Sequence, residues 1–342
     1  MGFVNLKQLA QMLGLSASTV SRALRDSYEI SGETKKRVQD LAKKVGYQPN
    51  PYASSLRNQV VRTIAVVVPE IANHFFCLAI NGIEEVARQE NYHVLVYLTH
   101  DNYAREVAVA QFLTSGRVDG ALVSLASETK DFAHLETLRH KGLPLVFFDR
   151  VWADSGISQV TTDDYAGGFR ATEHLLVAGC RHIAYLMVSG NLSIGTKRMH
   201  GYLDALSAHG VAHEPGLTLD GHGTNEENLA LITQLLHQHP EIDGIFASVE
   251  QLAINSYQAC YSINRRIPED IKIIGFSNLE IASLLNPSLT TVTQPAYNIG
   301  KEAAQLLFSA LKKGSRAPSP HAVELKSELI VRCSTGGPSL NP

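Results

Sequence analysis

The sequence predicts an α/β body built from two like-folded parallel sheets, preceded by a small all-helical head. Three observations predict it. Apolar runs without polar alternation, TIAVVV, HVLVYL, GALVSL, PLVFF, HIAYLMV, GIFASV and IKIIGF, alternate with helical patterns such as LAINGIEEVARQ and AGGFRATEHLLVAG, as parallel strands covered on both faces do. RVDGALVSL and EIDGIFASV occupy similar places in two successive βα arrays, so the body holds two units rather than one large sheet. Charge divides unevenly: residues 1–62 hold ten Lys and Arg against four Asp and Glu, a net of +6, and the remainder holds twenty against twenty-nine, a net of −9. The overall −3 hides a basic head on an acidic body, the asymmetry of a phosphate-binding module joined to a non-binding domain. With 342 residues the chain can bury a large core divided among two or three domains.

The head opens with a helix. Leu6, Leu9, Ala10 and Leu13 recur on one helical face, Asn5 caps the start with Gln8 reaching back, and Gly14 ends it. The stretch LGLSASTVSRALRD, residues 13–26, then starts a second helix at Ser16. Val20, Ala23 and Leu24 point one way, while Ala17, Ser18, Ser21, Arg22 and Arg25 fall on the opposite arc. That arc has no large apolar residue: its small residues permit close approach, its hydroxyls can bond phosphate or base edges, and Arg22 suits a bidentate grip on guanine. Two helices joined at a glycine turn match a helix-turn-helix, with a solvated helical hairpin as the alternative on this stretch alone. A third helix follows in SGETKKRVQDLAKKVGY, capped by Ser31, with Val38, Leu41, Ala42 and Val45 inward and Gly46 at its end.

In YQPNPYASSLRNQ, Asn50 is a strong N-cap and Pro51 is preorganised for the first helical position, yet only about seven residues follow before the chain changes character. A helix that short is not stable alone in water. Two readings stand here: a hinge that orders only on DNA beside a second copy, with Leu56 wedged between base steps in the minor groove, or an ordinary linker with an incidental leucine.

These stretches, together with ISGETKKRV, TIAVVVPEIANHFF, RVDGALV, FFDR, KRMHGY, RIPEDIKIIGF and PSLTTVTQPAYNIG, resemble the LacI/GalR family of transcriptional regulators, in order and at family spacing, from about residue 4 to residue 333. The resemblance implies a two-lobed, type I periplasmic-binding-protein-like body behind the helix-turn-helix head. It implies a head over 1–48, a hinge over 49–61, and an effector-binding and dimerisation domain over 62–342, with an N-subdomain of 62–161 and 291–320 and a C-subdomain of 162–290 and 321–335. The second helix then reads the major groove and Leu56 opens the central step of a palindromic operator. The DNA-contact set is Ser16, Ala17, Ser18, Thr19, Ser21, Arg22, Asn50, Tyr52, Ala53 and Leu56. The family usually has Tyr, Arg or Val with Gln, Ala or Thr where this chain has Ala17 and Ser18, which implies a different half-site.

In open α/β sheets ligands gather beyond the carboxyl ends of strands. The residues just after the apolar runs supply an effector set of Asn73, Phe75, Phe76, Ser124, Asp149, Arg150, Asp163, Arg198, Glu250, Asn278 and Gln294, with His74, Asp164, Lys197 and Ser277 beside them. Aromatics can lie on the apolar face of a ring, and bidentate side chains can take paired hydroxyls. By resemblance Arg198, in the R-x-x-G-Y pattern, is the leading effector contact. Val249-Glu250 stands where the family often has Asn-Asp, and Ser277-Asn278 where it often has Asp-Asp. Fewer carboxylates near Arg150, Lys197 and Arg198 leave a more positive cleft, fitting a phosphorylated or acidic sugar and equally fitting a site that has lost its ligand.

Catalytic readings fail on the residues. GNLSIGTK, residues 190–197, ends Gly-Thr-Lys where a phosphate loop needs Gly-Lys-Ser/Thr. His209 and His213 are four apart, but Gly210 and Pro215 disfavour one intact helix as a metal pair. There is no G-x-S-x-G elbow, and Cys77, Cys180, Cys260 and Cys333 are scattered, as in a reducing compartment. No signal peptide or membrane-length run is evident, so a cytoplasmic regulator is expected over a secreted sugar-binding protein. The expectation is a DNA-binding regulator, not an enzyme and without cofactor or metal, that binds palindromic duplex DNA under the control of a sugar or sugar phosphate. A nucleoside or purine is the alternative effector. The ending CSTGGPSLNP has no leucine heptads, so a homodimer is expected rather than a tetramer.

Overall fold

The computed structural model describes residues 4–47, 60–221, 223–313 and 320–337. The chain divides into two compact units between Val61 and Arg62. Asn50, Tyr52, Ala53 and Leu56, with the rest of the expected hinge helix, lie outside the described residues.

The first unit contains α1 (Leu6–Leu13), α2 (Ala17–Leu24) and α3 (Gly32–Lys44). Each start is fixed by its cap. Asn5 and Gln8 form a reciprocal capping box, Ser16 accepts from the Thr19 N–H, and Ser31 accepts from the Thr34 N–H. Gly14 ends α1 in the left-handed region at φ 64°, which a glycine adopts without strain. Leu9, Ala10, Val20, Ala23, Val38 and Ala42 form the core of this unit. Leu24, Leu41 and Val45 are half-buried around it, and so is Ala17, which the helical projection places on the outer arc.

The second unit has two lobes. The first lobe is a wholly parallel sheet of β1 (Thr63–Val68), β2 (His93–Leu98), β3 (Gly120–Val123), β4 (Leu145–Phe148), β5 (Ser158–Thr162) and β11 (Ala322–Leu325), in the order β11-β5-β4-β3-β1-β2. The second holds β6 (Ile183–Met187), β7 (Thr218–Asp220), β8 (Gly244–Ala247), β9 (Lys272–Phe276), β10 (Thr290–Thr293) and β12 (Glu328–Ile330), in the order β12-β10-β9-β8-β6-β7. Among the described strands only β12 breaks the parallel rule, pairing antiparallel with β10. The helices are α4 (His74–Gln89), α5 (Tyr103–Leu113), α6 (Ala133–His140), α7 (Asp164–Val177), α8 (Ser193–Ala208), α9 (Asn225–Gln238), α10 (Glu250–Ser262) and α11 (Ala296–Lys313).

Two boundaries differ from the sequence expectation. β10 belongs to the second sheet, so the chain returns to the first lobe after Thr293 rather than at 291, and α11 then packs into the first lobe's core through Ala296, Ile299 and Leu307. β11 completes the first sheet beside β5, so the last crossing falls at 326–327 rather than at 321. β2 also differs: HVLVYL reads as a strand covered on both faces, but it is an edge strand with Leu95 42% and Val96 41% exposed. Among the described residues no helix is long and apolar enough to cross a membrane.

Candidate DNA-reading face and effector cleft

The first candidate site is the outer face of α2. Ser16 Oγ lies 2.8 Å from both the Ser18 and Thr19 hydroxyls, so the N-cap, besides accepting the Thr19 N–H, ties these side chains into one network. Arg25 folds back, its Nε donating to the Ser21 carbonyl at 3.1 Å and its Nη2 to Ser21 Oγ at 3.3 Å. Arg22 is 47% exposed, with Nη1 2.8 Å from Glu29 Oε2. Ser18 is exposed, and Ser21 and Thr19 are half-buried. The face therefore offers a row of small hydroxyls ending in two arginines, and no apolar bulk keeps it from a groove.

The second candidate site is a narrow cleft lined by residues that follow the carboxyl ends of β1, β4, β6, β8, β9 and β10. Asn73, Phe75, Phe76, Asp149, Arg150, Arg198, Glu250, Asn278 and Gln294, all in the expected set, lie in its wall. Ser124 and Asp163 do not. Ser124 is fully buried. Asp163 accepts from Arg170 Nη2 at 3.0 Å and from the Ser327 N–H at 2.7 Å, which ties α7 to the last crossing between the lobes. Ile194, Val249 and Phe276 line the cleft as well. They escape a search for polar strand-end residues because they are apolar, although Phe276 ends the IKIIGF run and Ile194 is in the first turn of α8.

Arg198 is the best-held side chain of the wall. It is 2% exposed, its guanidinium stacks 3.8 Å over the Phe276 ring, and its Nε donates to Asp164 Oδ1 at 2.8 Å. Nη1 donates to the Ser248 carbonyl. Nη2 is buried and forms an ion pair with the same Asp164 oxygen at 2.7 Å. Burial pushes the Asp164 carboxyl up to about 6, against the pull of Arg198. On the first-lobe side, Arg150 Nη1 donates to Asp101 Oδ1 at 2.7 Å, while its Nε has no hydrogen-bond partner.

Asp149 accepts one long hydrogen bond, from Gln294 Nε2 at 3.4 Å. Burial raises its carboxyl above the ordinary range, opposed by Arg150 and Arg198. Gln294 is itself oriented by a 2.9 Å bond to Thr162 Oγ1, and its backbone carbonyl accepts from Asn278 Nδ2 at 2.7 Å. Glu250 Oε2 accepts from Ser277 Oγ at 2.9 Å. The two departures in sequence thus answer each other: the shorter residue at 277 makes room for the longer acid at 250, and one carboxylate is retained at this end of the cleft. The lobes also touch across it, through the Val151 N–H to Ser193 Oγ at 3.3 Å and His74 Nε2 at 3.8 Å from Glu280.

The expectation of a more positive cleft does not survive this geometry. Each arginine in the wall is paired with an aspartate of its own, whereas Asp149 and Glu250 hold no contact ion pair with a cation in the described structure. The wall is mixed: two arginines each paired with an aspartate, acceptors on Asp149 and Glu250, and amides on Asn278 and Gln294. No cluster among the described residues is arranged to hold a metal ion. His209 follows α8 and lies 3.6 Å from Glu173, while His213 bonds Thr218.

Two family models match the chain: bacterial regulatory proteins of the lacI family over residues 5–50, and a periplasmic binding protein-like domain over residues 172–335. The ribose operon repressor of Halalkalibacterium halodurans is 30% identical over 332 residues, 97% of each chain. The transcriptional repressor CytR of Escherichia coli is 30% identical over 331 residues, 96% of each. Among solved structures, the transcriptional regulator CelR in complex with cellobiose superposes with a TM-score of 0.74 at 26% identity, covering 97% of this chain and 99% of that one.

Proposed function

The chain belongs to the lacI family of bacterial regulatory proteins and is a DNA-binding transcriptional regulator, and from that premise we propose that the small molecule controlling it is a neutral carbohydrate. One observation supports the ligand class above others. Both wall arginines are already neutralised by aspartates at 2.7 Å, while Asp149 and Glu250 retain acceptor capacity. A phosphate would meet no unpaired cation in this wall and two carboxylates; a polyol would donate its hydroxyls to those carboxylates and bond the amides of Asn278 and Gln294. A nucleoside needs an aromatic face for its base. Phe276 is covered by Arg198, and Phe76 is packed against Phe75 and Phe148. The relatives named for ribose and solved with cellobiose accord with the carbohydrate reading.

The ligand closes the two lobes on itself and shifts operator affinity by as much as it prefers one arrangement over the other. The protein acts as a homodimer on a palindromic duplex, a reading supported by exposed apolar groups on both lobes: Leu95 and Val96 on β2, and Ile281 and Leu284 in the segment Glu280–Leu284. Titration calorimetry of the full chain with ribose, glucose and cellobiose, with ribose 5-phosphate and glucose 6-phosphate, and with adenosine and cytidine tests the ligand class. Heat is expected from a neutral sugar, lost in Arg198→Ala. Binding confined to the phosphate esters or to the nucleosides would overturn it.

A further inference from the structure

We propose that Glu29 is a positioning residue for base reading: it holds the Arg22 guanidinium so that the remaining N–H edge is presented to a guanine. The inference rests on the reading of Arg22 as the guanine-gripping residue. Arg22 lies in the last turn of α2, and its Nη1 is 2.8 Å from Glu29 Oε2 in the turn that leads to α3. That turn is braced. The Ser27 N–H donates to the Arg22 carbonyl at 3.1 Å, the Ile30 N–H to the Ser27 carbonyl at 3.2 Å, and Lys35 Nζ lies 2.7 Å from Asp26 Oδ1. The Glu29 carboxylate therefore extends from fixed backbone. Arg25 is engaged with Ser21 instead, which leaves the carboxylate to Arg22.

Stability does not account for the pair. Both side chains are about half exposed, at 47% and 46%, and exposed ion pairs contribute little to folding. A carboxylate is also the wrong charge to keep beside a phosphate-lined groove. A guanidinium has five N–H donors in a planar fork, of which a grip on guanine O6 and N7 uses two. Glu29 engages Nη1 and leaves the rest of the fork in a set plane, so Arg22 loses less rotamer freedom when it meets the base. The gain appears as discrimination between bases rather than as stability of the head.

Selection from a randomised duplex library by the full chain tests this. A G·C pair required by the wild type and no longer required by Arg22→Ala identifies the base that Arg22 reads. At that pair and not at others, Glu29→Ala is expected to lower discrimination about two- to fivefold, the range of an exposed ion pair. Affinity for a scrambled duplex should rise, because a carboxylate has left the phosphate field. Glu29→Gln retains an acceptor oxygen for Nη1 and should recover part of the loss. Glu33→Gln, an acid in the first turn of α3 outside the pair, should raise affinity for all duplexes alike. Wild-type preference in Glu29→Ala, with preference lost in Arg22→Ala, overturns the positioning role and leaves the Arg22 reading standing. Wild-type preference in Arg22→Ala overturns both.

Discussion

At the scale of single residues, the cleft is governed by how two buried charges are satisfied. Arg198 is 2% exposed and depends on Asp164. Replacing Asp164 by Asn leaves that guanidinium buried without its counter-charge, which costs about 3 kcal/mol or more near neutral pH. The pH dependence has a definite sign. The Asp164 carboxyl is pushed up from 3.8 to about 6 by burial, so between those values the folded chain holds a proton that the unfolded chain has released. This group's contribution to stability therefore falls as pH rises through the window and improves as pH drops below about 6. Thermal melts of wild type and Asp164→Asn across the window should show the wild type gaining on the variant toward acid. Parallel curves would mean that the carboxyl titrates at its ordinary value.

At the scale of elements, the site depends on how closely α8 lies against α7. A Cβ added to Gly168 would sit 2.5 Å from the Arg198 carbonyl oxygen, and one added to Gly201 would sit 2.2 Å from the Tyr165 carbonyl oxygen. Both obstacles are backbone, so neither can yield without moving a helix. The two glycines let α8 approach until Arg198 reaches Asp164 at the start of α7. Gly168→Ala is expected to destabilise the body by about 1–3 kcal/mol, the cost of overpacking, read as a lowered Tm for the full chain. An unchanged Tm would show that the crossing has slack.

At the scale of the molecule, β2 ends its sheet with apolar side chains in solvent, an arrangement that invites pairing with another chain. If this edge and the Glu280–Leu284 segment form the dimer face, the full chain should sediment as a dimer. Leu95→Asp should shift it toward monomer and weaken operator binding, because one head neutralises half the phosphates that two do. A wild-type monomer at micromolar concentration would overturn the homodimer, and an unperturbed Leu95→Asp dimer would move the interface elsewhere.

The sequence by itself determined what local physics controls. Asn5, Ser16 and Ser31 cap the helices they were expected to cap, because a cap depends on a residue and the three after it. TIAVVV and IKIIGF became β1 and β9 because a run without polar alternation needs cover on both faces. Asp149, Arg150, Arg198 and Gln294 could be collected in advance because they sit at or just after strand ends, or in a recognisable family pattern. Tertiary structure decided the rest. SQVTT, TLD, AVEL and ELI are too short and polar to declare themselves, and become β5, β7, β11 and β12 only because a neighbouring strand supplies their hydrogen bonds. The pairing of Arg150 with Asp101 and of Arg198 with Asp164 joins residues 49 and 34 positions apart. That pairing sets the charge of the cleft, and no count of nearby residues could have revealed it, because a charge's effect depends on which partner the fold brings within hydrogen-bond reach.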